Sequence, residues 1–306
     1  MTTAFIAHRS CRLHDMGRYH PECPDRLDAV SDRLIASGLD QHVEHFEAPA
    51  ATREQLARVH DEHYIATIEA ASPETGLRHL DPDTAMSPHS LEAALHAAGA
   101  VVLATDLVLD GKCRTAFCAV RPPGHHAERR RAMGFCLFNN VAVGVAHALA
   151  HGLERAAVVD FDVHHGNGTE DIFRAEPRVI MTGTFEYPLY PYSGVDPLGP
   201  NMHNVPLRAG SGGEAFRAAM QNVCLPALEA HRPDIIFVSA GFDAHRDDPL
   251  ANLQFTESDY AWVTRELVRI AETHARGRIV SSLEGGYELS ALGRSAVEHI
   301  RALAEL

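Results

Sequence analysis

Residues 156–169 read A-A-V-V-D-F-D-V-H-H-G-N-G-T. A β-branched apolar run ends in two aspartates and two histidines and is followed at once by glycines, the pattern of a buried strand that delivers ligand-type side chains to a turn. If the strand runs on that far, its period of two places Asp160, Asp162 and His164 on one face, with Asp162 and His164 adjacent and able to chelate one cation. A lone aspartate or histidine at a strand end would be a turn cap or an ordinary polar residue. The density here, beside the clusters found elsewhere in the chain, favours a site.

Outward from this stretch, strands and helices alternate. Upstream, residues 3–7 predict a first strand, and the loop H-D-M-G-R-Y-H-P-E-C-P-D-R-L (14–27) leads to a helix that Pro24 can start and that carries Leu27, Val30 and Leu34 on one face. Thr52 and Gln55 have capping-box spacing before a short helix, and 61–71 predicts another. After a loop at 80–88, Ser87 and Pro88 open a long helix that ends near Gly111. A strand at 114–120 then runs into R-P-P-G-H-H (121–126), and a helix at 141–151 closes at Gly152. Downstream come a short helix through Phe173, a strand at 179–184, an irregular Tyr/Pro/Gly-rich loop at 187–200, and a helix at 214–230 interrupted or kinked at Pro226. A strand at 234–239 ends in A-G-F-D-A-H, a helix fills 258–274, a last strand at 278–283 ends in E-G-G-Y, and a terminal helix starts at Ser290.

This alternation predicts an α/β chain, one domain over 1–306, with a mainly parallel central sheet and helices on both faces. Ligands of such sheets bind beyond the carboxyl ends of the strands. Four predicted strands end in reactive residues, His125 and His126, then the 160–165 segment, then Asp243, then Tyr287, so their convergence on one rim predicts a single site.

The chain has 306 residues, 45% hydrophobic and 22% charged, with a formal net charge of −14. That acidic balance argues against a general nucleic-acid binder, which needs basic patches to displace counterions, and would suit a cationic substrate or simply solubility. Cys11, Cys23, Cys113, Cys118, Cys136 and Cys224 form no C-x-x-C pair and no dense disulfide framework, which fits a reducing cytoplasm. The N-terminal M-T-T-A-F-I-A-H-R is too short in apolar residues for a signal peptide. The most apolar helix, around 93–109, is interrupted by His96, Thr105 and Asp106, so we expect an internal packed helix and no membrane span. No feature sets the oligomeric state.

Asp162, His164 and Asp243 would supply one nitrogen and two oxygen ligands, a set that suits catalytic zinc, with iron(II), cobalt and manganese also allowed by ligand type. Bound zinc lowers the pKa of water to roughly 7. His125 and His126 are adjacent, so their side chains diverge and need not share a task. One can take the proton of the activated water while the other, held by a carboxylate such as Asp160, tunes the local charge. Tyr287 follows two glycines that permit close approach of a substrate, and a phenol donor aimed at a developing oxyanion is worth roughly 3 kcal/mol. These parts describe metal-assisted hydrolysis of a carbonyl compound.

R-P-P-G-H-H, G-F-C-L-F-N-N, D-F-D-V-H-H-G-N-G-T, S-A-G-F-D-A-H-R-D-D-P-L and L-E-G-G-Y, in that order, resemble the zinc-dependent histone deacetylase family over nearly the whole chain. Asn167, Leu250 and L-E-G-G-Y are more similar to class II deacetylases and their bacterial amidohydrolase relatives than to class I. The resemblance implies the three-layer arginase/deacetylase fold, zinc held by Asp162, His164 and Asp243, His126 as general base and acid, His125 as its electrostatic partner backed by Asp160, and Tyr287 polarising the amide carbonyl. It further implies that Phe135 and Tyr190 wall an acyl-lysine stem, that the Gly134 carbonyl meets the substrate, and that Leu250 stands at the rim. A potassium ion would involve Asp160, Asp162, His164, Thr184 and Phe185, several through backbone oxygens.

Two positions depart from the pattern or divide it. Glu186 stands where many relatives carry histidine, which bears on the electrostatics of the site, and the rim carboxylate is Asp83 or Asp81, with Asp83 preferred. The expected activity is removal of acetyl or another short acyl group from an acylated lysine peptide. The alternatives are acetylpolyamine deacetylation, against which Leu250 at the rim argues, and a non-catalytic acyl-ligand binding protein, against which the complete set of ligands, base and tyrosine argues.

Overall fold

Apolar runs such as A-A-V-V-D, I-I-F-V-S-A and I-V-S-S-L are buried at every position rather than alternately. Only a sheet covered on both faces provides that environment, and parallel strands are its usual occupants. The computed structural model describes residues 2–306, so of the opening segment read for a leader Met1 lies outside the described residues. Its central sheet has eight strands: β1 (Thr3–Ala7), β2 (Val43–Glu47), β5 (Thr115–Cys118), β6 (Ala156–Asp160), β7 (Val179–Glu186), β8 (Met202–Leu207), β9 (Ile235–Ala240) and β10 (Ile279–Leu283). They lie in the order β2-β1-β5-β10-β9-β6-β7-β8, and every neighbouring pair is parallel.

Two rows of helices cover it. On one side α4 (Ser90–Leu109) packs against α5 (Asn140–Ala150) and onto β1, β5 and β10; on the other, α1 (Asp25–Ala36), α10 (Leu289–Leu303) and α9 (Glu257–His274) pack side by side. This is the α/β architecture with the mainly parallel sheet that the alternation predicts. By length and composition α4 could cross a membrane, yet 67% of its apolar window is buried inside the protein, as the sequence reading of an internal helix requires. Thr52 and Gln55 form the predicted capping box on α2 (Arg53–Ala57), and Asp61 caps α3 (Glu62–Ala71).

The structure adds detail that the pattern hides. The 80–88 loop contains half of a small hairpin, β3 (Arg78–His79) with β4 (Ala85–Met86). The 214–230 helix is three pieces, α7 (Gly213–Ala219), a π-turn (Met220–Cys224) and α8 (Leu225–His231), with Pro226 in the first turn of α8, where its missing N–H costs nothing.

One buried group makes folding pH-dependent. His299 of α10 is fully buried and ties α9 to β10, its Nδ1 2.6 Å from Thr264 Oγ and its Nε2 2.8 Å from Ser281 Oγ. Thr264 spends its own proton on the Tyr260 carbonyl, so His299 Nδ1 donates to Thr264 and Nε2 accepts from Ser281, the neutral form. Burial lowers its pKa from 6.5 to about 3. Between those values the unfolded chain binds a proton that the folded chain refuses, so stability is unaffected above pH 6.5 and falls as pH drops toward 3. Urea unfolding across that interval should show a slope that His299→Asn reduces by up to one proton; equal slopes for the two proteins would remove His299 as the cause.

Candidate active site

The four reactive loops leave β5, β10, β9 and β6, which are neighbours at the centre of the sheet. Their separation is therefore set by the ladder itself, close to the roughly 4.8 Å between adjacent strands.

β6 stops at Asp160, so the alternating-face argument does not reach Asp162 and His164. Side-chain-to-backbone bonds shape the turn instead: Asp160 Oδ1 accepts from the Asp162 N–H at 3.1 Å, and Asp162 Oδ1 from the His164 N–H at 2.9 Å. Each is a short polar side chain organising the backbone two residues on. Asp243, beyond β9, accepts from the Val163 N–H at 2.9 Å, and Asp162 Oδ2 from the Gly285 N–H at 2.8 Å, so three loops are bonded together. The approach at Gly285 is close: a Cβ there would lie 2.0 Å from Asp243 Oδ2.

These bonds leave His164 Nδ1 3.1 Å from Asp162 Oδ1 and 3.2 Å from Asp243 Oδ2. One ligand atom from each of the three residues lies within 4.8 Å of the others, and Asp243 Oδ2 is buried with no hydrogen-bond partner. Two buried carboxylates facing one ring demand positive charge between them. Burial opposes protonation of His164, but its bond to Asp162 and the facing Asp243 carboxylate raise its pKa to about 10, while burial and the Asp162 charge push Asp243 up to about 7. The orphaned oxygen and the N-plus-two-O donor set fit a divalent metal.

His125 and His126 follow β5 with their ring centroids 4.0 Å apart but face different partners. His125 Nδ1 is 3.0 Å from Asp160 Oδ2; burial works against its charge, yet Asp162 and Asp160 raise its pKa to about 10. His126 Nδ1 is 2.8 Å from Asn167 Oδ1, and the Asn167 amide nitrogen donates to Glu128 at 2.8 Å, which fixes the amide orientation. His126 therefore carries its proton on Nδ1 and a lone pair on Nε2. Burial first, then the charges of His125 and His164, holds its pKa well below 6.5.

A cavity of about 200 Å³ is lined by Asp83, His126, Gly134, Phe135, His164, Leu189, Tyr190, Leu250 and Tyr287. All but Leu189 are expected from the sequence. Phe135 stands edge-on to Tyr287 at 6.0 Å, and Tyr190 edge-on to His126 at 5.3 Å. Gly134 takes a left-handed φ of 57°, and a Cβ there would strike the His126 ring at 2.3 Å. Asp83 lines the cavity, whereas Asp81 accepts from the N–H groups of Asp83 and Thr84 and caps the turn. Thr184 and Phe185 lie on β7 beside the end of β6, both buried, with the Thr184 hydroxyl unpartnered.

Two residues left open by the sequence have structural tasks. Glu186 does not line the cavity; it accepts from the backbone and side-chain N–H groups of Asn252, both at 2.7 Å, and anchors the chain after Leu250. His165 bridges Ser193 Oγ at 2.8 Å and Glu170 at 3.2 Å, holding the loop that carries Tyr190.

The sequence reading assigns no role to Asn167, Glu284, Arg26 or Asp248. Glu284 accepts from the Gly124 and His125 N–H groups at 2.6 and 3.1 Å, and burial raises its pKa to about 7. Arg26 lies 5.1 Å from the Tyr287 ring, donates to the carbonyls of Glu284 and Gly286, and pairs with buried Glu22, which also binds Arg121. Asp248 accepts from the Tyr287 N–H at 2.7 Å and the Leu250 N–H at 3.0 Å. Arg26 lies at the start of the helix to which the 14–27 loop leads and Glu284 in L-E-G-G-Y three residues before Tyr287, so the available signal was a charged residue close to a strand end or inside a motif.

A family model, the histone deacetylase domain, matches residues 20–303. The chain is 41% identical over 276 residues to a histone deacetylase-like amidohydrolase of Pseudomonas aeruginosa, covering 88% of this chain and 72% of that protein. A probable deacetylase of Archaeoglobus fulgidus is 36% identical over 297 residues, with 94% and 82% covered. The crystal structure of the HDA15 HD domain matches with a TM-score of 0.94 at 33% identity, over 99% of this chain and 88% of that one.

Proposed function

The chain belongs to the histone deacetylase family, and from that premise we propose that it is a zinc-dependent amidohydrolase that removes acetyl, or another short acyl group, from an acylated lysine side chain. The carrying observation is that His164 is shared between the three-residue donor cluster and a cavity walled by Phe135, Leu189, Tyr190, Leu250 and Tyr287, with His126 and Asp83 as its other ionisable side chains. A lysine stem is apolar along four methylenes, and Phe135, Tyr190 and Leu250 offer it a matching passage.

Zinc held by Asp162, His164 and Asp243 would supply Lewis acidity at the acyl carbonyl and lower the pKa of water to about 7. His126, neutral with its Nε2 lone pair free, takes a proton from the attacking water and returns it to the leaving amine. Protonated His125, held by Asp160, adds positive charge beside it. The Tyr287 phenol stays protonated, since burial and then the Asp243 charge raise its pKa well above 10, so its hydroxyl donates to the carbonyl oxygen as negative charge develops. Asp83 would grip the substrate backbone at the rim, with the Gly134 carbonyl beside it. Potassium bound by Asp160, Asp162, His164, Thr184 and Phe185 would occupy the unpartnered Thr184 hydroxyl. Six free cysteines support a reducing, cytoplasmic setting.

The test is acetate release by zinc-loaded protein from a panel of acetyl-lysine peptides, acetylpolyamines and longer acyl-lysines. We expect turnover on the acetyl-lysine peptides to exceed that on acetylpolyamines, because position 250 is leucine and adds no second carboxylate to Asp83 for holding a distal ammonium. Binding of acyl-lysine without acetate release from any member would overturn the reading.

A further inference from the structure

α5 runs toward the end of the sheet at which β6 begins, and its last turn carries a second convergence of ligand atoms. His147 and His151 are four residues apart and so stand one above the other on the same helix face, with ring centroids 4.1 Å apart. Asp106, near the end of α4, meets them from the neighbouring helix, its Oδ1 2.7 Å from His147 Nε2. One ligand atom from each lies within 4.8 Å of the others, and the cluster grades from buried His147 through half-buried Asp106 to exposed His151.

We propose that Asp106, His147 and His151 form a binding site for a divalent transition metal, Zn²⁺, Ni²⁺ or Cu²⁺, that bridges α4 and α5 and is separate from the Asp162 cluster.

The hydrogen bonds already arrange the rings for ligation. His151 Nδ1 is 2.9 Å from the His147 carbonyl; a carbonyl only accepts, so the ring proton is on Nδ1 and the lone pair is left on Nε2. Fixing a histidine tautomer through a backbone carbonyl is the usual support of a ligating imidazole. His147 donates from Nε2 to Asp106, so a proton occupies the place between nitrogen and carboxylate that a cation would take.

Arg58 sets the cost of occupancy. Its guanidinium is 3.0 Å from His147 Nδ1 and donates to it. Ligation through Nε2 moves the ring proton to Nδ1, so Arg58 must turn away, and its existing pair with Glu54, at 3.2 Å, gives it a place to stay. Two imidazoles and one carboxylate match the late first-row metals rather than Mg²⁺ or Ca²⁺, which prefer all-oxygen sites. Three protein ligands leave a coordination position open to water on the exposed side, so the ion would exchange with solution. Because both helices must be packed for the three ligands to meet, binding favours the folded chain and would raise its melting temperature with free metal concentration.

The experiment dialyses the full zinc-loaded chain against defined free Ni²⁺ and counts metal per chain by elemental mass spectrometry, for the natural protein, His151→Ala and Asp106→Asn. The natural protein is expected to take up one ion more than either variant. Each variant should bind that ion more weakly by over the roughly 10- to 100-fold that loss of an outer hydrogen-bond partner costs. Ni²⁺ should raise the melting temperature of the natural protein and leave that of His151→Ala where it was. His151 is exposed, so its removal should not alter the melting temperature without metal, and Asp106→Asn serves as an independent second variant. The readout is a difference between proteins, so it does not depend on deacetylation or on loading of the Asp162 cluster. Equal uptake and equal melting shifts in all three proteins would overturn the proposal.

Discussion

His126→Ala is expected to lower kcat on an acetyl-lysine peptide by about 100- to 10,000-fold with little change in KM, the range lost when a positioned general base is removed. The magnitude follows from how fully this ring is prepared. Asn167 holds the Nδ1 proton, which leaves Nε2 as the only basic atom, and burial followed by the charges of His125 and His164 keeps it unprotonated at neutral pH. A base with a depressed pKa fails only on the acid side, so the natural protein should hold its activity through neutrality and lose it only well below pH 6.5, and the variant's residual activity should lack that acid limb. Steady-state kinetics across pH would check this. Undiminished turnover in the variant would assign the proton transfer to another group.

Tyr287→Phe is expected to reduce kcat by about 100- to 1,000-fold, the effect of removing one donor from a developing oxyanion. The substitution keeps the ring, so the edge-on contact with Phe135 at 6.0 Å and the stacking of Arg26 at 5.1 Å survive. Tyr287 is not one of the three clustered ligands, so zinc content measured on the same preparation should equal that of the natural protein. A fall in kcat at constant metal isolates the hydroxyl. Full activity in the variant would remove the donor role, and loss of metal would place Tyr287 in the architecture of the ion site instead.

Much of this site was legible because its strands are central. A strand buried on both faces needs a continuous apolar run, and the polar residues that follow each run stand out: Asp160 closes its strand, and His125, Asp243 and Tyr287 lie in the segments that leave theirs. The edge strands escape the same reading. β2 is V-E-H-F-E with exposed charges, and β8 carries Pro206, which an edge strand tolerates because one side of its backbone pairs with nothing. The period-two argument paired Asp162 and His164, which the structure does bring together, but by a route other than the one argued, since turn bonds, not strand pleat, aim them. The supports were illegible for a different reason. Arg26 meets the Glu284 and Gly286 carbonyls across 258 and 260 residues of sequence, and no local periodicity encodes a partner at that distance.

The single carboxylate oxygen of Glu284 accepts the N–H groups of both Gly124 and His125 while its own backbone opens the loop that ends at Tyr287. Proton carrier and carbonyl donor, which a mechanism treats as independent parts, are thereby fastened to one side chain. Substitutions that displace this carboxylate are therefore expected to disturb both loops at once, whereas Leu189, Tyr190 and Leu250 line the cavity without a hydrogen bond to it.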